Sequence, residues 1–265
     1  MSGRQVKQLS IAQGQVFSFI ALLAYCIAVL AMIGRARKGM KIPELYQVPG
    51  LEALDEAIGR CTEMGRPLHF SPGIGGVDNA QTLAALSILS YVAGQCARYD
   101  TDLIVTNRIT VVYPISEEIV KQAFIQEGKL QNFKVENVRF ISEDQFAYAT
   151  GVTGIMYREQ PAANLLLGAF WAESLIFAEV GATAGAIQIA GTANTHQIPF
   201  FVAACDYCLI GEELFAASAY LTREPILMGS IIVQDWGKMF AAIAIAVGTI
   251  LATFGSSFLS DIMGK

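Results

Sequence analysis

Pro67-Leu-His-Phe-Ser71, then Pro72-Gly-Ile-Gly-Gly76, then Asp78-Asn-Ala-Gln81: this run decides the fold class. Leu68 and Phe70 alternate with His69 and Ser71 at the two-residue period of a short strand, and the proline and glycines close that strand in a turn. Asp78, with Gln81 three residues on, has the form of a capping box opening a long apolar helix to about Cys96. A strand, a glycine turn and a helix make the first half of a βαβ unit.

The alternation continues outward. Asp102 to Thr106 reads as a buried strand, and Ser116 caps a helix from Glu117 to about Gln126. Val135 to Ile141 is a further strand, with Ser142 and Gln145 as a second capping box before a helix to about Tyr157. Pro161 to Ala193 is apolar enough to suggest a membrane span, but Glu173 and Glu179 oppose that, since a central acidic residue costs about 2.5–3.5 kcal/mol on insertion. We read it as a buried helix from Ala162 to about Val180 and a strand around Ala186 to Ala190, the two glutamates capping or pairing at a subunit contact. Ile198 to Ala204 reads as a strand and Gly211 to Leu221 as a helix. Upstream, Leu51, Leu54, Ala57, Ile58 and Cys61 fall on one face of a helix from Leu51 to Met64. The expectation for residues 51–225 is an α/β domain, a Rossmann-like parallel sheet with flanking helices that cover both its faces.

That domain is inserted between two stretches of membrane-spanning length. Val16 to Gly34 and Met239 to Ser260 carry no charge, and about 20 apolar residues suffice to cross a hydrocarbon core. A cleaved signal peptide is the competing reading of the first, but its apolar region is shorter and ends in a small-residue cleavage site, whereas this stretch runs directly into Arg35, Arg37, Lys38 and Lys41. Those four outnumber Arg4 and Lys7 on the other flank, so the positive-inside rule puts the α/β domain in the cytoplasm and both termini outside. Arg35, Arg37, Lys38, Lys41, Trp236 and Lys238 are placed at the lipid headgroups. Residues 1–15 and 261–265 are tails, 35–50 a basic, proline-containing connector, and 226–260 one helix containing the second span. Ala244, Gly248, Ala252 and Ser256 form a small-residue stripe suited to helix–helix contact.

Residues 35–238 hold 15 basic and 22 acidic side chains. This balance disfavours a nucleic-acid surface. Five cysteines, Cys26, Cys61, Cys96, Cys205 and Cys208, give no disulfide framework, and no spacing supplies a complete metal site.

Three groups of residues are candidates for chemistry. Gly73, Gly75 and Gly76 lie where a dinucleotide-binding loop would, but Asp78 takes the third glycine's place and would repel a phosphate, so a tight turn is the simpler reading. Cys205-Asp-Tyr-Cys208 follows an apolar run as a redox pair would; two small buried cysteines are the plainer alternative, and Asp206 opposes a thiolate. Thr192-Ala-Asn-Thr-His196 offers Asn194 and His196 at a strand's carboxyl end. Gly73, Gly75, Gly76, Asn194, His196, Cys205 and Asp206 could thus converge on one ligand cleft. His69 is expected to be a satisfied core histidine. No cofactor motif is complete.

The run Leu68 to Thr82, with Ile42-Pro-Glu-Leu45 and Gly211-Glu-Glu-Leu214, resembles an uncharacterised prokaryotic membrane-protein family, a domain of unknown function, over nearly the whole chain. The resemblance implies membrane attachment. Two functions follow as expectations. The first is a membrane-anchored, self-associating scaffold or structural subunit, a homo-oligomer in contact with the bilayer and with other membrane proteins. The second is a membrane-bound enzyme or a nucleotide or small-molecule sensor using the cleft.

Overall fold

The structure is a computed structural model, in which residues 16–38 and 49–254 are described. Arg4, Lys7, Lys41, Ile42 to Leu45 and Ser256 lie outside the described residues, as does the end of the second apolar stretch.

Residues 49–223 form a single sheet with helices on both faces. In chain order the elements are α2 (Pro49–Met64), β1 (Leu68–Gly73), α3 (Ala80–Arg98), β2 (Leu103–Asn107), α4 (Val112–Gln126), β3 (Val138–Phe140), α5 (Gln145–Glu159), β4 (Ala163–Ala169), α6 (Glu173–Thr183), β5 (Ile187–Thr192), α7 (Ile198–Ala204), β6 (Tyr207–Ile210) and α8 (Glu212–Thr222). Strand order is β3-β2-β1-β4-β5-β6, every neighbouring pair parallel, as the βαβ reading requires. From the central β1/β4 pair the chain winds outward in opposite directions, and right-handed crossovers therefore place α3 and α4 on one face and α6 and α7 on the other. Alternation along the strands fills both. Leu68, Phe70, Val105, Leu165 and Ile189 pack with α2, α3, α4 and α8, whereas Leu166 and Ala190 pack with Tyr148, Phe177 and Phe201.

Local expectations fare unevenly. The first cap is Asn79 rather than Asp78, its side chain accepting from the Gln81 N–H. Asp144, not Ser142, caps α5, accepting from Phe146 and Ala147. Ser116 lies buried inside α4, which starts at Val112. Residues 163–169 are the central strand β4, not the start of a helix. Neighbours on both edges and helices on both faces bury every residue of β4, so no apolar period marks it as a strand. Residues 198–204 are helix α7 rather than a strand: Pro199 sits in its first turn, where a missing N–H costs nothing, and the strand comes later, at Tyr207–Ile210.

Separately, α1 (Val16–Arg37) and α9 (Pro225–Thr253) are both long and apolar enough to cross a membrane. They pack antiparallel, because a Cβ on Gly229 would lie 3.2 Å from Ile33 and one on Gly237 3.5 Å from Tyr25. Ala244 and Gly248 are half-buried on α9 and Ala252 is exposed, and the close approaches at Gly229 and Gly237 come before the expected stripe. Arg35 and Arg37 occupy the last turn of α1, Lys38 follows, and Trp236 is exposed on α9.

Candidate functional site

At the carboxyl ends of β1 and β4 the sheet reverses its winding, the place where ligands bind in open parallel sheets. Here the two backbones nearly touch. Gly73 has φ +82°, and a Cβ on it would lie 2.3 Å from the Ala169 carbonyl; one on Gly168 would lie 2.3 Å from that of Pro72. Neither position tolerates a side chain. The Ile74 N–H donates to Ala169 O at 2.8 Å, and the loop then crosses the first turn of α3, where a Cβ on Gly75 would lie 2.6 Å from Thr82 Oγ1. A Cβ on Gly76 would meet Asp78 Oδ1 at 2.6 Å.

Gln81 joins this loop to the one after β5. Its Oε1 accepts from Ala193 N (2.7 Å) and Thr192 Oγ1 (3.1 Å), while its Nε2 donates to Asn194 Oδ1 (3.0 Å); Asn194 Nδ2 donates in turn to Phe170 O (2.8 Å). The structure therefore brings Asn194 to the glycine loop, with His196 exposed two residues on. Cys205 and Asp206 do not join them. Because 198–204 is a helix returning across the sheet, both sit at the opposite edge, before β6, where Asp206 Oδ2 accepts from Gln188 N (2.8 Å). Glu173 is buried at the start of α6 and accepts from Trp171 N (2.8 Å), just before the helix, and from Gln145 Nε2. Glu179 is exposed.

Several residues here carried no signal in the sequence. Among the described residues, Thr82 Oγ1, Asn107 Nδ2 and Arg108 Nε are buried without a hydrogen-bond partner. Leaving such a group unpaired costs about 1–3 kcal/mol. Asn107 ends β2, and its Oδ1 accepts from Ser116 Oγ (2.8 Å); the Arg108 Nη1 donates to Ile74 O (3.2 Å), which puts the guanidinium beside the glycine loop.

Beneath the site, a row of buried polar groups crosses the sheet, and its proton positions follow from one end. Gln188 Nε2 donates to two backbone carbonyls, Ala178 O (2.8 Å) and Ala204 O (3.0 Å), so its Oε1 faces Asn164 and must accept from Asn164 Nδ2 (3.1 Å). Asn164 Oδ1 then faces His69 Nδ1 (2.7 Å), which must carry the proton. That leaves His69 Nε2 to accept from Thr106 Oγ1 (2.9 Å). Thr106 O accepts from Tyr148 (3.2 Å), and Ser71 Oγ, which accepts from Gly73 N (3.2 Å), lies 2.8 Å from the Tyr148 hydroxyl. Gly181 makes room for this row: a Cβ there would lie 2.2 Å from Gln188 Oε1. Burial lowers the His69 pKa to about 4 and pushes Tyr148 up to about 12. His69 is thus the satisfied core histidine expected of it.

Cys205 and Cys208 interact. The hydrogen bond from Cys205 raises its own pKa and lowers that of Cys208, whereas burial pushes the Cys61 thiol up to about 12 and raises Cys96 as well. With iodoacetamide at mildly alkaline pH, Cys208 should alkylate about tenfold faster or more than Cys61 or Cys96, read by peptide mass spectrometry. Equal rates for all three would contradict this assignment.

A second feature surrounds the mouth of the site. Exposed large apolar side chains follow the carboxyl ends of the strands: Phe140 and Ile210 are the last residues of β3 and β6, Val77, Val111 and Trp171 come in the segments just after β1, β2 and β4, and Phe200 lies in the first turn of α7, which follows β5. Phe146, opening α5, is 69% exposed and Trp171 55%.

No curated protein and no solved structure matches the chain. Its sequence matches the domain of unknown function DUF6754 across residues 6–263, nearly its whole length, and the chain belongs to that family.

Proposed function

We propose that the chain is a two-pass membrane protein with both termini outside and its α/β domain in the cytoplasm, where it self-associates as a structural subunit of a membrane assembly. The exposed large apolar side chains that follow the strand ends carry this reading, because apolar side chains of this size left to water favour protein contacts. A second copy is the partner we favour. The acidic balance of residues 35–238 disfavours laying that edge on anionic lipid, and Arg35, Arg37 and Lys38 at the end of α1 support the cytoplasmic side. A Trp171→Glu/Phe146→Glu double variant should fall to monomer mass in mild detergent while keeping its circular dichroism. An unchanged mass would remove this edge from the interface.

A second reading, a membrane-bound enzyme or small-molecule sensor, is favoured by the loop geometry at the β1/β4 ends and by the three unpaired donors there.

A further inference from the structure

We infer that the glycine loop, the first turn of α3 and the end of β2 together form a binding site for an oxyanion of the phosphate class. The inference is independent of self-association. Thr82 Oγ1 lies against the loop at Gly75, where a Cβ would come within 2.6 Å of it. Thr82 and Asn107 are fully buried and Arg108 half-buried, and each holds a polar atom with no partner among the described residues. The type of atom decides the ligand. An amide nitrogen and a guanidinium nitrogen can only donate and a hydroxyl can donate or accept, so an acceptor is the one partner that satisfies all three. Arg108 contributes positive charge and, bonded to Ile74 O, is already tied to the loop. The start of α3 adds the positive end of its dipole.

Asp78 bears on the direction of entry. Its exposed carboxylate lies beside Gly76, whereas Arg108 meets the loop at Ile74, so the entry assigned to the anion is on the Arg108 side. A phosphate, whose oxygens point in three directions, suits three donors from two elements better than a planar carboxylate does. Two sources share this chemistry, a soluble phosphate ester and a phospholipid headgroup.

The test uses the full chain. Inorganic phosphate is titrated in a zwitterionic detergent and followed by calorimetry, and nanodiscs containing phosphatidic acid are compared with discs of phosphatidylcholine alone. Saturable binding of inorganic phosphate, weakened about tenfold or more in Arg108→Gln and in Thr82→Val and partly restored in Arg108→Lys, supports the site with a soluble ligand. Binding only to phosphatidate discs, with the same dependence on Arg108 and Thr82, supports it with a lipid ligand. Because Thr82 is buried, each variant's circular dichroism is checked, and Gly75→Ala, whose Cβ would press on Thr82 Oγ1, serves as a second probe that should also weaken binding. No saturable binding in either arm would overturn the inference and leave the three donors to buried water; binding indifferent to Arg108 and Thr82 would overturn it equally.

Discussion

Asn164→Leu will lower the stability of the α/β domain by about 3 to 5 kcal/mol, measured by urea unfolding of the full chain in micelles and followed by circular dichroism. Asn164 is the middle of the buried row, and its loss strands two groups at once: the His69 Nδ1–H, and Gln188 Oε1. Both are fully buried and neither can turn to water. Acid should weaken the same row. The folded pKa of His69 is about 4, below the 6.5 of an unhindered histidine, so between these values the unfolded chain holds a proton that the folded chain does not. This contribution is intact above pH 6.5 and falls at about 1.4 kcal/mol per unit as the pH drops to about 4, a loss of about 3 kcal/mol in all. In His69→Leu that part of the pH dependence disappears. Stability flat in the wild type from pH 7 to 4.5 would contradict the proton assignment.

Gly73→Ala should be the most damaging small substitution in the chain, costing about 4 kcal/mol or more, or preventing folding. Its φ of +82° strains any side chain, and the added carbon would overlap the Ala169 carbonyl at 2.3 Å, where β1 and β4 are joined and the backbone cannot retreat without breaking the central strand pair. Gly94→Ala is the matched control. It lies inside α3 with open space around it, and there alanine should stabilise by about 0.5–1 kcal/mol through helix propensity. Thermal unfolding of the two variants beside the wild type separates them by opposite shifts. A Gly73→Ala protein as stable as the wild type would show that β1 and β4 do not approach as described.

What the sequence disclosed depended on contrast. Leu68 to Ser71, the glycines after it and the helix from Ala80 were legible because an alternating strand, a turn and a 3.6-residue period adjoin one another. The stretch from 161 to 193 offered none: β4 is buried on every side, so Leu165, Leu166 and Leu167 fit a strand or a helix equally. At 198–204 the run Phe200-Phe-Val202 suggested a strand, while Pro199, which opens the helix, was the overlooked signal. Half of the expected cleft came together, Gly73 to Gly76 with Asn194, and half did not, because misreading α7 placed Cys205 and Asp206 at the wrong edge of the sheet. The buried row was illegible for a different reason. His69, Thr106, Asn164 and Gln188 lie far apart in the chain and meet only through strand order and register, neither of which is written locally. Thr82, Asn107 and Arg108 share that obscurity.

Self-association of a membrane-anchored α/β domain is the central claim. Its most direct test is the protein mass of the full chain in mild detergent, by light scattering with the detergent contribution removed. The account predicts a defined multiple of the 28.5 kDa chain that persists on dilution. A monodisperse monomer would contradict it.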